Sequence, residues 1–386
     1  VFVSSKEIAI TLPYVPIEKI PAFTEANHRL FMSATINDDT KIIEHLGVSS
    51  DYVMISPKKA NDIGERLILS PQSKDAKITD TIMKKLIQWH SKTVNTVVLV
   101  PSYNRAEFWE DVADVVIRSG VTLHETIDKM KDGHVGLVII INRYDGIDLP
   151  KAACEILVID SLPDYRSLKE KYEQSVLRGT TESDARNIRI IEQGMGRAVR
   201  SKDDYCVIYL MNSGLIKQLY INNSRQHFSE STRKQLELSE LVQNEIEGNN
   251  YQEAIEAVLS RDPSWISASK EYIADIEYIH EKKISKDKLE EKEAYYLACN
   301  GNYQDAAHKL QNLINRNDNT RKKGYFKFKL AKITNFFSKE KAQQIVKSAN
   351  KLNNQLSRPI TGIEYNPVNI NKLSQSHRLR EFIGKK

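Results

Sequence analysis

The run Gln193-Gly194-Met195-Gly196-Arg197-Ala198-Val199-Arg200 sets one amide and two guanidinium groups in the pattern Q-x-x-G-R-x-x-R. On a helix, side chains three and four positions apart share a face, so Gln193, Arg197 and Arg200 would converge on one ligand. Two planar, permanently charged forks suit a row of phosphate oxygens. A guanidinium aimed at a phosphoryl group in transfer contributes roughly 10³–10⁵ in rate. The plain alternative is a surface helix whose arginines pair with carboxylates.

Three further groups of residues could act with this run. Ser33-Ala34-Thr35 offers two hydroxyls, Ser33 and Thr35, at the end of an apolar stretch, where they could relay between lobes or serve as ordinary turn residues. Leu99-Val100-Pro101-Ser102-Tyr103 ends a β-branched stretch in a hydroxyl and a phenol. Asn142-Arg143-Tyr144-Asp145-Gly146-Ile147-Asp148-Leu149-Pro150 follows another apolar run. In it Gly146 allows a ligand close to the backbone, and Asp148 either accepts hydrogen bonds from a ligand or caps a helix. Ser102, Tyr103 and Arg143 have the chemistry for phosphate contacts or base stacking, and equally for plain loop roles. His90, His134 and Trp265 have no second ligand at metal-binding spacing and read as structural, so no metal site is expected from these residues.

Such residues need a scaffold to hold them. From 71 to 214 short continuous apolar runs alternate with helical patterns. Expected strands at 96–100, 135–141, 155–160 and 205–211 are separated by expected helices at 77–90, 105–119 and 184–199. Buried strands alternating with helices predict a parallel sheet covered on both faces, with ligands at the carboxyl ends of its strands. Residues 1–70, with extended runs at 29–32 and 65–70, are too few for a complete domain and read as the remnant of a preceding lobe plus a linker. The abrupt start at Val1 fits a fragment. From 215 to 386 strand signals fade and Leu, Ala, Glu and Lys recur at helical spacing, which predicts an all-helical domain. Within it 250–254 and 302–306 echo each other, which suggests paired helical hairpins.

Charge is uneven. Residues 321–386 hold 16 Lys and Arg against 3 acids, so the positive charge lies in the tail although the whole chain is only +5. There Arg321-Lys322-Lys323-Gly324-Tyr325-Phe326-Lys327-Phe328-Lys329 interleaves cations with aromatics, making Lys322, Lys323 and Tyr325 candidates for binding a nucleic-acid strand, or else a solvated helix face with core aromatics. No apolar run is long enough to cross a bilayer, no secretion signal opens the chain, and Cys154, Cys206 and Cys299 form no paired framework. A reducing, cytoplasmic setting is expected.

Taken in chain order, these motifs resemble those of superfamily 2 helicases: 33–35 is similar to motif III, 99–103 to motif IV, 142–150 to motif V and 193–200 to motif VI. The stretch from Arg143 to the Asp160-Ser161-Leu162-Pro163 turn and the following Gln-Gly-Met-Gly-Arg run resembles the XPD/DinG-like branch and bacterial helicases of restriction and antiviral systems. Tyr144-Asp145-Gly146 departs from the Ser-Glu-Gly common in that branch. The resemblance implies a RecA-like second lobe, with Arg197, Arg200 and Gln193 sensing ATP and Gly146 and Asp148 near the nucleotide. It also implies Mg²⁺, a single strand as track (DNA before RNA), and a first RecA-like lobe upstream. Neither G-x-x-x-x-G-K-[ST] nor an Asp-Glu box occurs in the sequence, so the phosphate cradle and the magnesium ligands must come from elsewhere. The alternative is a non-catalytic scaffold or binding module that docks an effector protein or nuclease through its helical part.

Overall fold

The computed structural model describes residues 2–31, 40–49, 51, 64–118, 120–144, 146–165, 167–199, 201–221, 223–246, 251–276 and 284–356. Two compact units make up the chain, Val1–Val53 with Tyr165–Ser183 and Glu281–Lys386, and Met54–Asp164 with Asp184–His280.

The second of these is built on a parallel sheet. After a short antiparallel pair in the other unit, β1 (Phe2–Val3) and β2 (Ile8–Ala9), come β3 (Glu65–Leu69), β4 (Thr96–Val100), β5 (Val115–Ile117), β6 (Leu137–Ile141), β7 (Ile156–Asp160) and β8 (Tyr205–Met211). These six lie in the order β3-β8-β7-β4-β6-β5, every neighbour parallel. Successive side chains of a strand point to opposite faces, and both faces here are covered. Val97 and Leu99 of β4 join one core with Leu123 and Ile127 of helix Gly120–Asp132 and Ile188 and Ile191 of helix Thr181–Met195. Val98 and Val100 join the other with Met83 and Ile87 of helix Asp80–His90 and Ile255 and Val258 of helix Gln252–Leu259. Burial on both sides explains why these strands read as unbroken apolar runs.

The β3 edge is closed by helix Glu230–Glu245. Ser239 Oγ accepts from Ile68 N at 2.8 Å and Gln243 Oε1 from Ser70 N at 2.9 Å, while Gln235 Nε2 donates to the Gly64 carbonyl at 2.9 Å. The contact-defined units therefore do not follow divisions at 70 and 214: β3 and the helices from 230 to 273 belong with the sheet, because their apolar and edge-capping side chains are satisfied there.

Local differences from the sequence expectations have local causes. The helix expected at 105–119 is a short one, Tyr103–Glu107, followed by turns and β5, because Val115-Val116-Ile117 pair with Val138-Ile139-Ile140 of β6. Among the described residues, 29–31 form no strand and pair with none, and Leu30 is exposed; Met32 lies outside the described residues. The helix expected at 184–199 spans Thr181–Met195.

The helical unit centres on helices Lys286–Cys299, Tyr303–Arg316, Thr320–Thr334 and Lys339–Leu352. Ala294, Leu310, Leu313, Phe326 and Leu330 form its core. Helix Leu168–Leu177, opened by a capping box at Ser167 and Glu170, joins this unit through Val176, which packs on Ala349 and Leu356. The last two helices approach closely at Gly324, where an added Cβ would come within 2.8 Å of Asn353 Cβ. Among the described residues no helix is long and apolar enough to cross a membrane.

Candidate functional site

The carboxyl ends of the central strands carry a polar edge. Asn142, Ser161 and Asn212, the residues just after β6, β7 and β8, all have positive φ, at 48°, 73° and 85°. Hydrogen bonds hold each turn: Asn142 N donates to Val100 O at 2.7 Å, Ser161 N to Met211 O at 3.2 Å, and Asn212 Oδ1 accepts from Gly214 N at 3.0 Å. Asn tolerates this conformation through its short polar side chain, but Ser161 carries more of the strain, of the kind that persists where surrounding structure enforces a functional geometry.

Beneath this edge runs a buried ion-pair network. Asp160 ends β7 with its side chain fully enclosed, and Oδ2 accepts from Arg105 Nε and Trp109 Nε1, each at 2.7 Å. Ser161 Oγ donates to Oδ1 at 2.8 Å. Arg105 reaches on with Nη2 to Asp80 at 2.6 Å, and Asp80 also accepts from Gln72 at 2.8 Å and Asn212 at 3.2 Å. Burial pushes the Asp160 carboxyl above its usual range, opposed by the Arg105 and Trp109 hydrogen bonds and the Arg105 charge. The network ties the ends of β7 and β8 to the helices at 80 and 103, so the loops above them start from fixed points. Sequence reasoning did not single out Arg105, Trp109 or Asp80. The available signal was the charge at the end of Ile-Leu-Val-Ile-Asp, since a carboxylate closing an apolar strand needs a buried partner.

The segments similar to motifs V and VI are in contact. Helix Thr181–Met195 stops before the second half of its motif; Gly196 N still donates to Glu192 O at 2.9 Å, but Arg197 N turns to Gly194 O at 3.0 Å, a tightened last turn. Gln193 and Arg197 thus do not share one continuous helix. Arg197 Nε donates to the Tyr144 carbonyl at 3.0 Å and the Gln193 carbonyl at 3.2 Å, and Nη1 to the Ile147 carbonyl at 3.3 Å. Leu149 N returns a bond to Arg197 O at 3.1 Å. As placed, Arg197 clamps the 144–149 loop to the helix end. Gly194 lets the two pack: an added Cβ would lie 2.9 Å from the Tyr144 ring and 3.1 Å from Ile159 Cδ1. Burial, then the charges of Asp160 and Asp164, push the Tyr144 hydroxyl up.

Gly146 has φ 72° with open space where a Cβ would stand, and Asp148 is exposed between the buried Ile147 and Leu149. Ser102 is an N-cap, accepting from Arg105 N at 3.3 Å, while the Tyr103 side chain beside it is exposed. Arg143 is half-buried beside Gly120. Ser33, Thr35, Asp145 and Arg200 lie outside the described residues.

The candidates in the helical unit are placed otherwise. Lys322 pairs with Glu182 at 2.6 Å and Asp287 at 3.0 Å. Tyr325 packs between the core with Leu313 and the cluster with Val176, and burial drives its hydroxyl upward. Lys323 is half-buried on the same helix. His90 is buried, its ring nitrogen 3.3 Å from the Tyr209 hydroxyl, and His134 contacts the Ser91 carbonyl at 2.8 Å. Among the described residues no group of three or more His, Cys, Asp or Glu could hold a metal ion.

No curated protein matches this chain in sequence. A solved structure described as XPD_APO is similar at 15% identity, covering 43% of this chain and 39% of that one with a TM-score of 0.32. The chain thus spans well under half the length of that structure's chain. The family model of the helicase C-terminal domain matches residues 83–235, from helix Asp80–His90 through the polar edge, the Arg197 clamp and β8 to the helix on β3. Over those residues the chain is similar to a helicase C-terminal domain.

Proposed function

We propose that the sheet unit is the second RecA-like lobe of an ATP-driven motor of the XPD/DinG-like branch that steps along one strand of nucleic acid, DNA before RNA. The observation that carries this reading is the Arg197 clamp. It joins the loop bearing Gly146 and Asp148 to the end of the Gln193 helix, so groups facing a nucleotide and groups facing a strand would shift together. In this reading Arg200 is the guanidinium presented to the γ-phosphate, with Gln193 and Asp148 beside it, and Arg197 positions the loop. Ser102, Tyr103 and Arg143 lie at the carboxyl edge, where strand contacts would form. The phosphate grip and the Mg²⁺ ligands belong to a first lobe upstream that would also carry Ser33 and Thr35. The helical unit is a docking surface for an effector protein, and the setting is cytoplasmic, in defence or repair.

The test is ATP turnover. The 386-residue chain alone should show no nucleic-acid-stimulated ATPase, whereas a protein that includes the phosphate-gripping lobe should, and Arg200→Ala should lower that rate by roughly 10³ or more while sparing nucleotide binding. Arg197→Lys, which keeps the charge but not the fork, should uncouple hydrolysis from strand binding. Turnover by the chain alone that Arg200→Ala abolishes would overturn the two-lobe reading.

A further inference from the structure

The helical unit holds a second constellation that none of the helicase-like motifs includes. Helices Thr320–Thr334 and Lys339–Leu352 carry ten Lys and Arg and a single acid, Glu340. Three of the cations are used internally, Lys322 on Glu182 and Asp287, Lys329 on Glu291, and Lys327 on the Ser348 hydroxyl. Lys332 and Lys341, on either side of the turn between the helices, are exposed, as are Lys347 and Lys351 farther along, although the Lys332 amine lies 4.9 Å over the Phe328 ring and burial pushes its pKa down. In the turn stand Phe336 and Phe337, 68% and 49% exposed. Tyr303 lies face to face with Phe336, ring centroids 4.7 Å apart and planes within 5°.

Phe336 and Phe337 are adjacent exposed rings at the tip of a cationic hairpin, an apolar patch edged by charge. Apolar rings next to each other beside Lys332 and Lys341, which form no ion pair among the described residues, answer to a ligand that is flat and apolar on one part and anionic on another. We propose that this tip is a platform for single-stranded nucleic acid, the bases stacking on Phe336 and Phe337 and the phosphates following Lys332 and Lys341. Charge separates this ligand from other apolar partners. A hydrophobic protein surface would gain from the rings alone and would leave the lysines desolvated, whereas a strand supplies one negative charge per nucleotide along the hairpin, whose first helix is about 22 Å long. A duplex would reach the lysines but hide its base faces. The parallel stack of Tyr303 under Phe336 fixes the ring orientation, so little rotamer freedom is lost on binding. The run singled out in the sequence, 321–329, is thus the packed end of this hairpin, and the exposed aromatic end lies a few turns farther on. The inference does not rest on the motor reading of the sheet unit.

Fluorescence anisotropy of a labelled oligothymidylate of about 12 bases, titrated with the whole 386-residue chain, tests it. Phe336→Ala with Phe337→Ala should weaken binding by about five- to a hundredfold, and Phe336→Leu with Phe337→Leu, which keeps apolar bulk without the ring faces, should weaken it as well. Lys332→Gln with Lys341→Gln should flatten the log–log salt dependence by about 1.4, the value for two phosphate contacts on a single strand. Photocrosslinking through 5-iododeoxyuridine should label Tyr303, Phe336 or Phe337. Oligonucleotide affinity unchanged in both phenylalanine double variants would overturn the proposal. So would crosslinks confined to the sheet unit. If the alanine variant loses an acidic peptide instead, with oligonucleotide affinity intact, the tip is a protein-docking site and the proposal fails.

Discussion

Replacing Arg105 by alanine isolates the buried network under the polar edge. Its Nε and Nη2 reach Asp160 at 2.7 Å and Asp80 at 2.6 Å; the Asp160 side chain is fully enclosed, whereas those of Arg105 and Asp80 are 20% and 26% exposed. Without the guanidinium, Asp160 keeps only the Trp109 N–H and the Ser161 hydroxyl. Removing one partner of a buried pair costs about 3–5 kcal/mol. The two remaining donors and the partial exposure of Arg105 put this case at the lower end, about 3 kcal/mol, or a fall of about 6–12 °C in the unfolding midpoint for a domain of this size. The loss should depend on pH. Burial already raises the Asp160 carboxyl, so the folded state holds its proton more tightly than the unfolded chain. Its contribution is therefore complete below the ordinary carboxylate range and is lost as the pH climbs through the raised value. Deleting Arg105 removes two influences that lower it and raises it further. Thermal unfolding of wild type and Arg105→Ala at about pH 7.5 and about pH 5 should show the smaller deficit at the lower pH, and adding Asp160→Asn should recover part of the loss at the higher one. Equal deficits at both pH values, with no recovery in the double variant, would refute a charge-based role for Arg105.

Two other positions give separate predictions. Gly194→Ala should cost about 1–3 kcal/mol in urea unfolding, because the new methyl meets the Tyr144 ring, and Tyr144→Leu should relieve part of that cost; no interaction between the two would contradict the packing account. His90 is held neutral by burial, its pKa pushed down to about 4, so its contribution is complete above about 6.5 and is lost as the pH falls towards the lower value. Unfolding midpoints measured from pH 7 to pH 4 should fall less steeply in His90→Gln than in wild type.

Much of the sheet was readable because doubly buried strands keep their apolar character residue by residue, as in Thr96–Val100 and Tyr205–Met211. β5 was hidden because three residues, Val115-Val116-Ile117, become a strand only by pairing with β6, which no local pattern records. Helix Glu230–Glu245 read as part of a separate helical domain since Gln235, Ser239 and Gln243 look like solvent-facing residues until β3 is placed beside them. In the candidate site the motif residues were legible by type and order, but their use was not. Arg197 reads as a phosphate ligand in sequence, and only the loop's return shows it holding the carbonyls of Tyr144 and Ile147. Asp160 and Arg105 are 55 residues apart and meet only through the strand order. The cation-aromatic run 321–329 leaves open a strand-binding surface or a solvated helix face with core aromatics, and helical periodicity turns Phe326 into the core and Lys322 onto two carboxylates.

Helix Glu230–Glu245 also acts as a substitute seventh strand. Four residues of helix advance about 6 Å and two residues of strand about 6.6 Å, so Ser239 and Gln243 fall in step with Ile68 and Ser70. The two rulers differ by about a tenth, and like vernier scales they coincide over a rung or two and then drift apart. Gln235 Nε2 on the Gly64 carbonyl repeats the offset of Gln243 Nε2 on the Ile68 carbonyl, so the two stay in step over the length of β3. A helix can therefore terminate only a short strand in this way, and the five residues of β3 are matched to that limit. The sheet is finished on this side by commensurability, with no row of open amides left for another chain to extend.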